Sequence, residues 1–257
     1  MQISTTLTGL LTSILLLSQS QVFASECSAK TGNNSIPLLE LYTSEGCSSC
    51  PPADKWISQI KHDKSKVTPL AFHVDYWDYI GWKDQFSKAE YSDRQRKTAA
   101  FAGAGFVYTP QFVFNGRDFK GWDNNRLNSA IAKSQKLASR VDLTLSVVNE
   151  PDGNITLKAN AKSLEPAQTK SADVFVVLYE NGLVTQVKAG ENNGRELKHD
   201  YVVRQLFGAY QMNNLNVFNK SFNLSGAWKN KDAGAVIFVQ DSANGEIIQS
   251  LALDFCS

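Results

Sequence analysis

Two cysteines three residues apart, Cys47 and Cys50, sit where the hydrophobic period of the chain changes. Before them IPLLELYT (Ile36 to Thr43) is short, apolar and followed by a Ser/Glu/Gly loop, the pattern of a buried strand. After them CSSCPPADKWISQI places Trp56, Ile57 and Ile60 at helical spacing, and Pro51-Pro52 is tolerated only in a first helical turn. A C-x-x-C at a strand-to-helix junction restricts the fold more than any other feature of these 257 residues.

The pattern around it continues the alternation. VTPLAFHVDY (Val67 to Tyr76) predicts a second strand, followed by the aromatic loop WDYIGWKD and a charged helix over Phe86 to Phe101. TPQFVFNG (Thr109 to Gly116) predicts a third strand ending in an Asn-Gly turn, with RDFKGW as its hairpin partner. Asp123 caps a helix running to Ser139, with Leu127, Ile131 and Leu137 on its apolar side. The order β-α-β-α-β-β-α is that of an α/β layer. From Val141 onward the chain reads as short strands separated by turns such as Pro151-Asp152-Gly153-Asn154, Asn181-Gly182 and Asn244-Gly245, which suggests a sandwich of seven or eight strands. The expected fold is an α/β domain over residues 25–140 followed by a mainly-β, sandwich-like domain over 141–257.

Residues 1–24 carry no charged side chain, and LTGLLTSILLL (Leu7 to Leu17) is an apolar core ending in the small-residue pattern Val22-Phe23-Ala24. This predicts a cleaved signal peptide, the apolar run being short of the ~20 residues a bilayer span needs. The mature chain is then periplasmic or secreted, with no membrane span, in a compartment where disulfides persist. Lys+Arg 26 against Asp+Glu 25 gives nothing that favours nucleic acid as a partner. Four cysteines allow three pairings. Cys27 and Cys256, at the two ends of the mature chain, are expected to form a structural disulfide that clamps the β-rich half to the start of the other half.

A thiol at a helix N-terminus faces unpaired N–H groups and the positive end of the dipole, which favours the thiolate. Cys47, at the helix start, is expected to be exposed and nucleophilic. Cys50, inside the turn, is expected to resolve a mixed disulfide. Here the residues resemble the thioredoxin fold: strand, C-x-x-C, helix, strand, then Thr109-Pro110 opening a strand. The resemblance implies that Pro110 is a cis-proline facing the cysteines and that the Thr109 backbone pairs with a substrate strand. It also implies a buried carboxylate that passes a proton to the second cysteine. Glu40 is placed for that role, or is an edge-strand carboxylate facing water. The dipeptide Ser48-Ser49 differs from the Gly-Pro of thioredoxin. The blocks LYTSEGCSSCPPAD, AFHVDYWDYIGWKD and GENNGRELKH are similar to those of a family of secreted bacterial proteins of unknown function (domain of unknown function 1223), which supplies fold and compartment but no substrate.

Other candidate residues stand around this core. His73 and Asp75 share a strand face and are either near the cysteines, His73 serving as a proton relay, or a hydrogen-bonded structural pair. Trp77, Tyr79 and Trp82 either line a substrate groove or cover the core. Arg195 and His199 fall in a Gly/Asn-rich loop and either reach across the interface between the two halves or, by default, are solvated. No second Cys or His pair stands at zinc spacing, so neither metal nor cofactor is expected. The expected function is a thiol–disulfide oxidoreductase acting on a thiol or disulfide partner. Its rivals are a non-catalytic binding protein with a structural C-x-x-C, and a peroxide- or metal-handling thiol protein.

Overall fold

The computed structural model describes residues 25–60, 64–150, 154–212, 218–224 and 228–256. The predicted signal peptide (1–24) and residues 151–153 of a predicted turn lie outside the described residues. Before residue 140 come β1 (Ser25–Lys30), β2 (Leu38–Thr43), α1 (Pro51–Ser58), β3 (Thr68–His73), α2 (Ala89–Phe101), β4 (Gln111–Phe114), β5 (Arg117–Asp118) and α3 (Asn124–Ser134). After it come β6 (Val141–Asn149), β7 (Asn154–Ser163), β8 (Ala172–Glu180), β9 (Leu183–Gln186) and β10 (Glu196–His199). The chain continues with β11 (Val202–Gln211), β12 (Phe218–Asn223), β13 (Ala233–Asp241) and β14 (Ile247–Asp254). The architecture is mixed α/β, with several sheets and few helices.

An eight-stranded sheet runs in the order β14-β13-β8-β11-β3-β2-β4-β5. It takes strands from both sides of residue 140. Among the described residues the α-helices all precede that position; the sheet does not stop at it. In the middle β11, β3 and β2 are parallel to one another, and the flanking pairs are antiparallel. The centre is covered on both faces, so β2 and β3 are buried at every position, as parallel strands generally are. Side chains alternate on β2. Leu39 and Leu41 face a core with Ala53 and Ile57 of α1 and Leu127 and Ile131 of α3. Leu38 and Tyr42 face the opposite core, which contains Tyr91 of α2. On the other half of the sheet, β8, β13 and β14 pack against a four-stranded sheet, β1-β6-β7-β12, through a core of Val, Leu and Ile.

Local details follow from the sequence. Asn115 and Gly116 take φ values of 48° and 77°, the two positive values a tight two-residue hairpin requires. A side chain on Gly116 would also run into the Gly245 carbonyl oxygen. The Asp123 carboxylate caps α3, accepting from the Arg126 amide at 2.9 Å.

Several expectations need correction. Residues Ser25–Lys30, for which no element was expected, form strand β1, whose Cys27 and Ala29 pack on the sheet–sheet core. Helix α2 begins at Ala89 rather than Phe86, because the Asp84 carboxylate takes the Phe86 amide and Lys88 is extended. α3 ends at Ser134, leaving Leu137 exposed, and the partner strand in RDFKGW is only Arg117–Asp118. A disulfide joins Cys27 to Cys256, 229 residues apart. Since β1 pairs with β6, this bond ties the two sheets together at one edge rather than clamping one half of the chain to the other. Closing so long a loop stabilises by up to about 5 kcal/mol in the chain-entropy model.

Candidate functional site

Strand β2 ends at Thr43 and the chain turns sharply: the Ser44 carbonyl accepts the Cys47 amide at 3.2 Å and the Ser44 hydroxyl accepts the Gly46 amide at 3.1 Å. Cys47 and Cys50 form a disulfide. Cys50 is the N-cap of α1, and Pro51 and Pro52 occupy its first two positions. Prolines carry no N–H, and the next two amides, of Ala53 and Asp54, are both bonded to the Cys50 carbonyl. The cluster of free amides expected to favour a thiolate is therefore absent from these four positions, although the helix dipole remains.

Cys47 is not exposed. Its relative accessibility is 1%, and that of Cys50 is 0%. The cover comes from the hairpin β9–β10 and its connecting loop. Asn192, fully buried, donates from one Nδ2 to the Glu45 carbonyl at 2.8 Å and the Cys47 carbonyl at 3.0 Å. Glu191 accepts the Ser48 amide at 3.0 Å, and hydrogen bonds from the Ser48 side chain and then its backbone hold the Glu191 carboxyl below its ordinary value. Arg195 Nη1 donates to Asn192 Oδ1 at 3.1 Å and orients the amide. Only Ser48 and Ser49 of the C-x-x-C remain exposed.

The expected substrate residues gather here. The Thr109–Pro110 peptide is cis. Trp77 Nε1 donates to Thr109 Oγ1 at 2.7 Å, and a side chain on Gly46 would come within 3.1 Å of Trp77 Cβ. Trp77 thus bridges the cysteine loop and the cis-proline loop, and a side chain at Gly46 would need Trp77 to give by a few tenths of an ångström. Trp82 is half-buried under the hairpin and donates to Glu45 Oε2 at 2.8 Å. Tyr79 is exposed.

Glu40 is neither at a sheet edge nor beside the cysteines. It is fully buried on the central strand β2 and points to the α2 face, away from α1, where Arg94 Nε meets its Oε1 at 2.7 Å. His73 does not pair with Asp75, which is held instead by Ser92. Its partner is Asp84: His73 Nδ1 lies 2.7 Å from Asp84 Oδ2, with both groups fully buried. His199 is a residue the sequence placed by default in a solvated loop. Strand β10 carries it inside, 2% exposed, with its ring 4.9 Å from that of His73. Its Nε2 is 3.4 Å from Glu45 Oε1 and its Nδ1 3.9 Å from Asp54 Oδ2. Arg195 stays exposed. Strand β10 was not read because its alternation of buried and exposed residues spans only Glu196–His199, and Asp54, in the first turn of α1, was not singled out.

The cluster is electrostatically ordered. Burial alone would lower the His73 pKa. Asp84, with Asp54 and Glu45 beyond it, outweighs burial and holds that pKa above the usual histidine value. Burial would raise Asp84. The His73 charge and hydrogen bond, with the amides of Glu45 and Phe86, outweigh it and hold the carboxyl low. Asp54 is pushed up by burial, opposed in part by His199 and His73. A raised histidine stabilises the fold fully below its unfolded value of about 6.5, and that contribution is lost as pH rises through the folded value. A lowered aspartate contributes above its unfolded value of about 4, and that is lost as pH falls through the folded value. The His73–Asp84 pair should therefore contribute most between roughly pH 4 and 6.5. Thermal melts against pH should show this band, and Asp84→Asn should remove it. Among the described residues, no group of three His, Cys, Asp or Glu side chains is arranged to hold a metal ion, and no helix is long and apolar enough to cross a membrane.

A family model described as "Protein of unknown function (DUF1223)" matches residues 38–240. The chain belongs to the DUF1223 family. The span that marks it as a DUF1223 chain runs from β2 into β13 and includes both the C-x-x-C and the hairpin over it. Among solved structures, the chain is similar to a crystal structure of a protein from Agrobacterium tumefaciens, with TM-score 0.60 and 25% identity, covering 86% of this chain and 96% of that one. It is also similar to HBP35 of Porphyromonas gingivalis, with TM-score 0.62 and 16% identity, covering 88% of this chain and 76% of that one, a likeness of fold alone. The comparison with curated proteins finds no match. The two disulfides suggest an extracellular environment.

Proposed function

We propose that the chain is a secreted or periplasmic thiol–disulfide oxidoreductase, built on a thioredoxin-like arrangement of β2, α1, β3, α2, β4, β5 and α3. The observation that carries this reading is the Cys47–Cys50 disulfide at the β2–α1 junction, linked through Trp77 to the loop holding the cis Thr109–Pro110 peptide. A partner thiolate attacks Cys47 Sγ, the S–S bond breaks, and its electron pair leaves on Cys50 Sγ. A second thiol then attacks the mixed disulfide, releasing reduced Cys47 and an oxidised partner. In reverse, Cys47 attacks and Cys50 resolves. The loop joining β9 to β10, which carries Glu191 and Asn192, must lift for either direction. Cys50→Ser is expected to accumulate a mixed disulfide on Cys47 with a cysteine-containing peptide, and Cys47→Ser to form none on Cys50, as read by intact mass. Failure of Cys50→Ser to trap any thiol would overturn the reading.

The near-complete burial of both cysteines favours a second reading, a binding protein in which the C-x-x-C is a staple. There the pair resists reduction in the folded protein at every pH.

A further inference from the structure

Five titratable groups from five elements meet behind the disulfide: Glu45 of the cysteine loop, Asp54 of α1, His73 of β3, Asp84 of the aromatic loop and His199 of β10. Four of their buried polar atoms have no hydrogen-bond partner among the described residues: Glu45 Oε1, His73 Nε2 and both ring nitrogens of His199. Unpaired groups of this kind are rare in native interiors and call for a role. His73 is committed to Asp84 through Nδ1. His199 has no such commitment. It sits between the carboxylate two residues before Cys47 and the carboxylate four residues after Cys50, at 3.4 Å and 3.9 Å. The Asp54 amide bonds the Cys50 carbonyl, so Asp54 is one helical turn from the sulfur that leaves.

A sealed disulfide has a proton problem. Its reduction by two thiols leaves two thiols on the protein, and the Cys50 thiolate forms where the hairpin excludes water. We propose that His199, supplied by the C-terminal half, exchanges the proton that accompanies opening and closing of the Cys47–Cys50 bond, with Asp54 as its outlet to solvent. This rests on the redox reading above. On reduction, the partner thiolate forms a bond to Cys47 Sγ and the S–S bond breaks. The Cys50 thiolate takes a proton from the buried cluster, leaving His199 as neutral imidazole. On oxidation, the imidazole receives the proton as Cys50 attacks. The outlet is a groove of about 430 Å³ between α1 and β10, lined by Asp54, Lys55, Glu196, Lys198 and Asp200. It lies along the α1–β10 contact, where the loop carrying Asn192 is not the cover. Asp54, raised by burial, suits a group that passes protons between an interior histidine and water.

The test is the rate of reduction of the Cys47–Cys50 pair by dithiothreitol from pH 5 to 9, divided by the dithiothreitol thiolate concentration. In the wild type this normalised rate should fall as pH rises and the proton donor is lost. His199→Gln fills the site without titrating. It should slow reduction by about 10²-fold at low pH, within the range for general acid catalysis, and flatten the profile. Asp54→Asn should slow it without flattening it. A His199→Gln profile of unchanged shape overturns the proposal and leaves the redox reading standing. A wild-type pair that no thiol reduces overturns both. If His199→Gln does not fold, the wild type still decides. The His199 imidazole ¹⁵N shifts should titrate differently in the oxidised and reduced protein, and identical titrations overturn the proposal.

Discussion

Asn192→Ala is expected to let small thiols reduce the Cys47–Cys50 disulfide about ten- to a hundredfold faster. The Asn192 side chain is buried, and one Nδ2 satisfies the carbonyls of Glu45 and Cys47. Removing a donor of this kind leaves buried acceptors unpaired, at about 1–3 kcal/mol. If that energy is taken from the closed hairpin, local opening becomes more frequent by the same factor, with 1.4 kcal/mol equal to tenfold. Asn193 is exposed, so Asn193→Ala should leave the rate unchanged and serves as the control. The readout is the half-time for dithiothreitol reduction, quenched with a maleimide and weighed. Equal half-times for Asn192→Ala and the wild type would mean that the hairpin does not limit access.

Arg94→Met is expected to destabilise the fold by about 3–5 kcal/mol, because it leaves the Glu40 carboxylate buried without its partner. Arg94 reaches Glu40 from α2, stacks its guanidinium 4.7 Å from the Phe238 ring centroid and bonds Gln240 at 3.2 Å, so it also joins α2 to β13. Adding Glu40→Leu to Arg94→Met should recover most of the loss, since an apolar pair of similar volume does not carry the buried charge. Urea unfolding of the two variants measures both effects. The reduction rate of Cys47–Cys50 in the double variant should match the wild type, because Glu40 lies on the sheet face opposite α1. A slowed reduction would restore Glu40 to the site.

The first half was legible because its signals are local. The strand Leu38–Thr43 and the Asn115-Gly116 turn each declare themselves within eight residues, and so does the Asp123 cap. Strand β11, which carries the sheet from one half into the other, was not. VVRQLFGAYQ mixes Arg204 and Gln205 with apolar residues and carries register shifts at Val203/Gln205 and Phe207/Tyr210, so the two-residue period is broken twice. The cysteines and Pro110 were expected together through the resemblance to the thioredoxin fold, whereas Trp77, open between a groove and core cover, links their two loops in the structure. The cover over the cysteines was not legible. Asn192 and His199 are polar residues in polar surroundings, and what buries them is the hairpin's position over α1, a contact across some 145 residues of sequence. The same holds for Asp84, whose pairing with His73 depends on the path of the aromatic loop.

The reduction potential of Cys47–Cys50 in the wild-type protein, titrated in glutathione buffers while Cys27–Cys256 stays oxidised, tests the redox reading most directly. The account predicts a value above about −300 mV, with reduction complete within the buffer range and confined to this pair. A value below that, in the range of structural disulfides, would contradict it and leave the C-x-x-C as a staple.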